Sequence, residues 1–145
     1  MPYNCTSYLS HGQRASIYLA APLTTYGTAA YEAALAGCRA RWLEAEIISP
    51  RDAFADRAEW LTRWPTVLAR CDRLVFIADA DGVIGYGVWQ EVHDAERRGL
   101  PVLYLDAAGR FIPRERVQLR KASERSHGDW RSYATVRVVD ETAVT

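Results

Sequence analysis

The chain has 145 residues, of which 49% are hydrophobic and 25% charged, as in an ordinary globular domain and unlike a disordered segment. Eighteen basic residues balance eighteen acidic ones, so the net charge offers no overall field for nucleic acid or an anionic membrane, and we expect neither as a partner. Three scattered cysteines and three histidines show no disulfide framework or metal-ligand spacing, so we expect a reducing, cytoplasmic location and no metal or cofactor. The chain also lacks an apolar run of roughly 18 residues for a membrane span and a signal-peptide core.

Strand and helix patterns alternate through the first half of the chain. Residues 1–14 show no periodicity and are expected to be a loose lead-in. Short apolar runs at 16–21 and 46–49, each followed by a proline, predict buried strands. Between them, apolar residues at three- and four-residue steps predict a helix over 29–45.

The middle of the chain contains a proline within a helical pattern. Residues 52–71 predict one helix that ends near Arg63 and another that begins at Pro65, because proline lacks an amide donor and clashes with the preceding turn. The continuous apolar character of 73–78 is typical of a central parallel strand covered on both faces. The remaining predicted elements are a loop at 79–86, a helix at 87–98, a strand at 101–105, helix plus loop over the basic segment 110–131, and a strand at 135–139.

This alternation predicts the α/β fold class. We expect a three-layer, doubly wound, flavodoxin- or Rossmann-like fold, with a mostly parallel sheet of about five strands and helices on both faces. The whole chain, 1–145, is interpreted as one domain with a basic C-terminal extension over 107–145. In such a sheet, ligands bind beyond the carboxyl ends of the strands. The loops expected there are 22–28, 50–54, 79–87 and 106–109, and none carries a dinucleotide or P-loop motif.

Glu91, in the predicted helix at 87–98, is the candidate catalytic residue. Val88, Val92 and Ala95 form the inward stripe of the predicted helix, and Glu91 lies about 60° from Val88, at the edge of that stripe. Its place near the helix start favours an anion, so a partly shielded carboxylate is expected to act as a nucleophile. The alternative is an acid that only complements the helix dipole.

Four short motifs resemble the nucleoside 2-deoxyribosyltransferase-like superfamily. Residues 87–105 are similar to its G-x-x-x-E-x-x-x-A-x-x-x-G-x-P-V pattern, in which the Glu is the nucleophile. The segments 17–22, 48–52 and 71–76 resemble its opening strand, its second-strand exit and the lead into its third strand. The motifs occur in the family's order and cover about 16–106.

The resemblance implies a flavodoxin-like fold and cleavage of the N-glycosidic bond of a nucleoside or nucleotide. Glu91 would attack C1′ of the sugar, and another base or water would resolve the glycosyl ester. Asp79 and Asp81 would protonate the departing base or hold sugar hydroxyls, and Tyr18 and Tyr26 would stack on the base or orient Glu91. The remaining residues expected to bind substrate are Ala21, Pro22, Asp52, Gly85 and Gly87. A homo-oligomer is expected, because neighbouring subunits often complete pockets in this family.

Departures from the family pattern support a second hypothesis, a non-catalytic nucleotide-binding or sensing module on the same fold. Ala21 replaces a glycine, the approach to Glu91 reads Gly85-Tyr86-Gly87, and Trp64 stands where many members have a supporting Asp. A phosphoribohydrolase-like enzyme is a third, weaker alternative. The basic segment 110–131, with His127, Trp130 and Tyr133, is interpreted either as a solvated face or as a cover that binds a substrate phosphate.

Overall fold

The computed structural model describes residues 14–121 and 132–139, so most of the expected lead-in and His127 and Trp130 lie outside the described residues. In chain order the elements are β1 (Ser16–Ala20), α1 (Ala29–Arg41), β2 (Glu46–Ile48), α2 (Pro50–Ala53), α3 (Arg57–Ala69), β3 (Arg73–Phe76), β4 (Val83–Ile84), α4 (Tyr86–Arg97), β5 (Val102–Leu105), β6 (Phe111–Pro113), β7 (Val117–Lys121) and β8 (Ala134–Val138). Single 3-10 turns occupy Leu23–Thr25 and Arg114–Arg116. None of the helices in these two stretches is long and apolar enough to cross a membrane.

The main sheet confirms the predicted α/β fold class. Its five strands lie in the order β2-β1-β3-β5-β6. The pairs β1–β2, β1–β3 and β3–β5 are parallel, and β6 pairs with β5 in the antiparallel sense. The strand order reverses between β1 and β3, and this switch point is where ligands bind in doubly wound folds.

Helices cover both faces of the main sheet, as the continuous apolar strands predict. Ile17 and Leu19 of β1 pack with α1 in one buried cluster. Tyr18 and Ala20 point to the opposite face, where they join Leu68 of α3 and side chains of α4. Because successive side chains of a strand face opposite sides, a strand covered on both faces is apolar throughout.

The predicted break at Pro65 is wrong, because α3 runs without interruption from Arg57 to Ala69 with Pro65 inside it. Proline removes only the amide that would bond the Leu61 carbonyl, and residues 61–63 are exposed, so water can hydrate that carbonyl. The break lies earlier, between α2 and α3. Asp56 begins α3 by accepting the Glu59 amide at 2.9 Å, and Glu59 Oε1 accepts the Ala55 amide at 2.8 Å.

The helix expected within 110–131 is also wrong for its described part. Residues 111–121 form β6, a single 3-10 turn and β7. In β7, Val117 is buried, whereas Gln118 and Arg120 are exposed. This period of two belongs to a strand, and the abundance of Arg and Lys obscured it in the sequence.

A second, antiparallel sheet of β4, β8 and β7 holds the segment that leads into α4. It confirms the last predicted strand but was otherwise not expected. The Tyr133 amide donates to the Ile84 carbonyl at 2.9 Å, and the Val136 amide donates to the Gly82 carbonyl at 2.8 Å. The chain turn at Gly82 has φ of 75°, which glycine adopts without a steric penalty. The C-terminal strands therefore fix the position of the loop that precedes Glu91.

Candidate functional site

A cavity of about 460 Å³ lies beyond the carboxyl ends of β1 and β2 and beside the start of α4. Its lining comes from three segments, within 21–26, 50–61 and 85–91. The predicted residues Ala21, Pro22, Gly85, Gly87 and Glu91 all line it. The volume lies within the range of roughly 300–1,000 Å³ that small-molecule sites occupy. The structure thus gathers these five residues, together with Tyr26, around one concave surface.

The Glu91 carboxylate is at once part of this lining and almost entirely shielded from bulk water, with a relative exposure of 2%. Its Oε2 accepts a hydrogen bond from the Tyr18 hydroxyl and another from Trp60 Nε1–H at 2.9 Å. Both donors converge on the same oxygen, which leaves Oε1 as the oxygen available to a ligand. This placement agrees with the position predicted at the edge of the inward stripe.

Burial raises the pKa of Glu91 from 4.5 to about 7, and the hydrogen bonds from Tyr18 and Trp60 oppose this rise. The carboxyl group is therefore poised to change protonation state near neutrality. Groups with such pKa values are enriched in functional sites.

The helix dipole contributes less to this site than the sequence suggested. Because α4 begins at Tyr86, Glu91 is the sixth helical residue, and the first turn contains no acidic side chain. The dipole effect falls off within the first turn, so it provides little stabilisation of the Glu91 anion. Asp94 on the same helix is also buried, at 6% exposure, and it pairs with Arg97 and Arg98.

Tyr18 and Tyr26 flank the carboxylate as neutral groups. Tyr18 is fully buried at the centre of β1, and burial followed by the charge of Glu91 raises its pKa well above the usual range. Tyr26 lines the cavity, and burial and Glu91 likewise raise its pKa. The prediction that Tyr18 orients Glu91 agrees with its hydrogen bond, although Tyr18 does not itself line the cavity.

Trp60 forms a wall of the cavity and is held from two sides. Trp64 stacks on it, with ring centroids 6.0 Å apart and an interplanar angle of 19°. On the other side, a Cβ placed on Gly87 would lie 3.1 Å from the Trp60 ring. The absence of a side chain at residue 87 therefore lets the indole approach α4 closely enough to bond Glu91.

We expect Gly87→Ala to be about 1–2 kcal/mol less stable than Gly37→Ala, because the new methyl group presses on the Trp60 ring. The matched control adds a methyl group to α1, where its nearest neighbour is Leu105 at 3.9 Å. Urea unfolding measures the difference, and the NMR signal of the Trp60 indole N–H reports any change in its hydrogen bond. Equal stability of the two variants would contradict this account of residue 87.

Arg51 brings a guanidinium group to the rim of the cavity, and Asp52 lies behind it. Arg51 Nε and Nη2 donate to Asp52 at 2.9 and 3.0 Å, and Nη1 donates to Glu32 at 2.6 Å. The hydrogen bond from Arg51 lowers the pKa of Asp52. Asp52, predicted to bind substrate, does not line the cavity and instead orients Arg51, which does.

The structure does not bring Asp79 and Asp81 to the cavity. Asp79 Oδ1 accepts the amides of Asp81 and Val83 at 2.9 and 3.0 Å, so it organises its own loop. Asp81 is exposed. The predicted loop 106–109 also contributes nothing to the lining. Across the described residues, no group of three or more His, Cys, Asp or Glu side chains is placed to hold a metal ion.

We expect Asp79→Ala to lower the free energy of unfolding by about 1–2 kcal/mol, because two loop amides lose their acceptor. Asp79→Asn retains an acceptor oxygen and should keep most of that stability. Urea titrations of both variants, with Asp81→Asn as a control, test this expectation. A destabilisation by Asn as large as that by Ala would show that the negative charge of Asp79 matters beyond its hydrogen bonds.

Sequence reasoning missed the roles of Trp60, Phe54 and Arg51. Trp60 belongs to no sequence motif, and its partner Glu91 lies 31 positions away. A half-buried tryptophan usually finds an acceptor for its N–H, but local sequence does not identify that acceptor. Phe54 and Arg51 belong to a predicted ligand loop, so their position was the available signal.

Comparisons with known proteins support the fold and leave the function open. No family model matches the chain, and no curated protein matches it. A solved structure described as a conserved protein from Enterococcus faecalis V583 is similar, with 24% identity and a TM-score of 0.50. The match covers 63% of this chain and 62% of that one, so this chain matches less than two thirds of that protein. At this identity, the likeness shows the mostly parallel α/β fold alone.

Proposed function

We propose that this protein cleaves the N-glycosidic bond of a nucleoside or nucleotide, with Glu91 as the nucleophile. The observation that carries the proposal is the Glu91 carboxylate, buried at the cavity and held through one oxygen by Tyr18 and Trp60. Its other oxygen is available to attack C1′. A carboxylate in this setting stabilises the oxocarbenium-like transition state of glycosyl transfer.

The reaction would proceed in two displacements. Glu91 Oε1 forms an ester bond with C1′ while the bond from C1′ to the base nitrogen breaks. Water or a second base then displaces Glu91, which gives hydrolysis or transfer. Tyr18 and Trp60 hold Oε2, so the carboxylate does not have to reorient before attack. Because only the ionised carboxylate attacks, the rate should rise with pH through the Glu91 pKa of about 7.

The shape and lining of the cavity suit a nucleoside. The side chains of Tyr26, Phe54, Trp60 and Tyr86 provide aromatic surface for a base. Arg51 and Arg57 also belong to the lining and would pair with the phosphate of a nucleotide. A phosphate-binding role for 110–131 has less support, because the described part of that segment lies outside the cavity lining.

The four motifs that resemble the nucleoside 2-deoxyribosyltransferase-like superfamily support the same activity. Glu91, at the position of the family's nucleophile, is the residue on which geometry and resemblance agree. By analogy, we propose a homo-oligomeric enzyme. The free, buried thiols of Cys38 and Cys71 are consistent with a reducing, cytoplasmic location.

The activity is tested by incubating the protein with a panel of nucleosides and nucleotides and following free base by chromatography. A 2-deoxy-2-fluoro analogue of any active substrate should slow the second displacement and leave the sugar on Glu91, as measured by peptide mass spectrometry. Base release together with a labelled Glu91 peptide is the expected result. A folded protein that releases no base from the whole panel would refute the proposal.

A non-catalytic nucleotide-binding module is the second candidate, and the Trp60–Trp64 stack favours it. Trp64 stands where many members of the resembled family have a supporting acid, and here it packs on the wall of the cavity. Such a module would show ligand-induced thermal stabilisation without turnover. If no nucleotide of the panel shifts the melting temperature, this alternative is excluded as well.

A further inference from the structure

The charged side chains that line the cavity balance one another when Glu91 is ionised. Two guanidinium groups line it, those of Arg51 and Arg57. Two carboxyl groups line it as well, and two more are bound to Arg51 just behind the rim. The four carboxyl groups are those of Glu32, Asp52, Asp56 and Glu91. Because Glu32 and Asp52 are already paired with Arg51, the Glu91 carboxylate is the charge through which the site would favour a positively charged ligand.

The hydrogen-bond partners of Glu91 are neutral, in contrast to those of the other buried acid on α4. Asp94 is paired with two arginines, whereas Glu91 receives only the Tyr18 hydroxyl and the Trp60 indole among the described residues. A buried carboxylate is costly in its ionised form unless a cation compensates it. A cation in the ligand, placed next to Oε1, would supply that compensation.

The walls of the cavity include four aromatic rings, which attract cations. Tyr26, Phe54, Trp60 and Tyr86 all contribute to the lining. Two of these rings already have a guanidinium group nearby: Arg57 lies 5.9 Å from the Trp60 centroid, and Arg63 lies 6.0 Å from that of Phe54. The negative face of an aromatic ring stabilises positive charge, and it does so more strongly away from water.

We propose that the cavity selects a flat nitrogen heterocycle that carries a positive charge, and that the substrate is an N-glycoside of such a quaternised ring, a pyridinium being the simplest example. This inference deepens the proposed function and rests on it for the identity of the bond that breaks. The carboxylate and the rings bind the charged base in the ground state, and the same carboxylate faces the anomeric carbon.

The chemical step balances without a proton donor for the leaving group. Glu91 Oε1 bonds to C1′, the C1′–N⁺ bond breaks, and its electron pair passes to the ring nitrogen, which leaves neutral. Water then displaces Glu91 from C1′ and releases one proton. This sequence agrees with the structure, because Asp79 and Asp81, the acids first expected to protonate a base, do not line the cavity.

The ligand preference can be measured without turnover. The probes are the 1-methylnicotinamide cation and 3-methylbenzamide, which has the same shape with carbon in place of the charged nitrogen. At about pH 8 we expect titration calorimetry to show the cation binding at least about tenfold more tightly. At about pH 5.5, below the Glu91 pKa of about 7, the preference should fall below about threefold.

Variants assign the effect to Glu91 rather than to its charged neighbours. Glu91→Gln should abolish the preference at pH 8, whereas Asp56→Asn, at the other lining acid, should retain most of it. Tyr18 and Tyr26 face Glu91 and stay neutral at both pH values, because their pKa values are raised, and Arg51, whose pKa is also raised, stays charged. If Glu91→Gln does not fold, the pH comparison on the unmodified protein still decides.

The outcomes separate this inference from the proposed function. Equal binding of both probes at pH 8, no binding of either, or a preference that survives in Glu91→Gln would overturn the cationic ligand. Release of bases from uncharged nucleosides, without any preference for the cationic probe, would support the glycosidase and refute the inference about the ligand. A cation preference without base release, either from pyridinium glycosides or from the panel of nucleosides and nucleotides, would retain the ligand class and refute the catalytic proposal.

Discussion

Replacement of Glu91 by Gln is expected to abolish base release, with a loss on the order of 10³-fold or more. The amide keeps the size of the side chain and can still accept from Tyr18 and Trp60, but it is a poor nucleophile for C1′. The loss should fall on kcat, because the attack occurs only in the transition state, and substrate binding should change less. Single-turnover base release measures the chemical step directly.

Glu44→Gln is the matched control, since it removes an exposed carboxylate outside the cavity lining and should leave the rate unchanged. Tyr18→Phe gives an independent check. It removes one of the two donors that oppose the raised pKa of Glu91, so the rising limb of the pH profile should move to higher pH. Residual activity of Glu91→Gln near that of Glu44→Gln would assign the nucleophile to another group.

The architecture could be predicted from the sequence because both faces of the main sheet are covered by helices. A strand such as β3, which is buried on both sides, is a continuous apolar run, and its flanking helices have their own period. The C-terminal strands were harder to predict from the sequence. Their burial alternates over only a few residues, and their pairing with β4 depends on chain segments more than 45 positions apart.

The part of the candidate site that could be predicted also depends on the regular period of a single element. Glu91 was identified because helical periodicity fixes the direction of its side chain relative to Val88. The side chains that complete the site come from other elements, and Trp60 is the main example. Its indole reaches Glu91 only because Gly87 lacks a side chain, and no local pattern at residue 60 encodes that approach.

Asp79 shows the opposite error. An acid in a loop at the carboxyl end of a strand is a reasonable candidate for proton transfer, and the resemblance encouraged that interpretation. In the structure, its carboxylate is bound to two amides of its own loop. Aspartate side chains frequently bond backbone amides a few residues ahead, so a loop acid has this local alternative to a role at the site.

The second large effect concerns stability, and we expect Glu91→Gln to be more stable than the unmodified protein at pH 8 by about 3 kcal/mol. The pKa of Glu91 is raised from 4.5 to about 7 on folding, so the folded state binds its proton more tightly than the unfolded state. The stabilising contribution is complete below about pH 4.5 and is lost as the pH rises through 7. Glutamine stays neutral at every pH, so the stability of the variant does not fall in this way as the pH rises.

Urea unfolding of both proteins at pH 5 and pH 8 measures how the difference between their free energies of unfolding changes with pH. Other titrating groups, such as Asp52 with its lowered pKa, occur in both proteins and cancel in the comparison. The gap between variant and unmodified protein should be small at pH 5 and widen by pH 8. A gap that stays constant would mean that the Glu91 pKa is not raised by burial. A widening gap together with lost activity would show that the protein retains an ionisable glutamate in its interior at the expense of stability, as expected of a catalytic group.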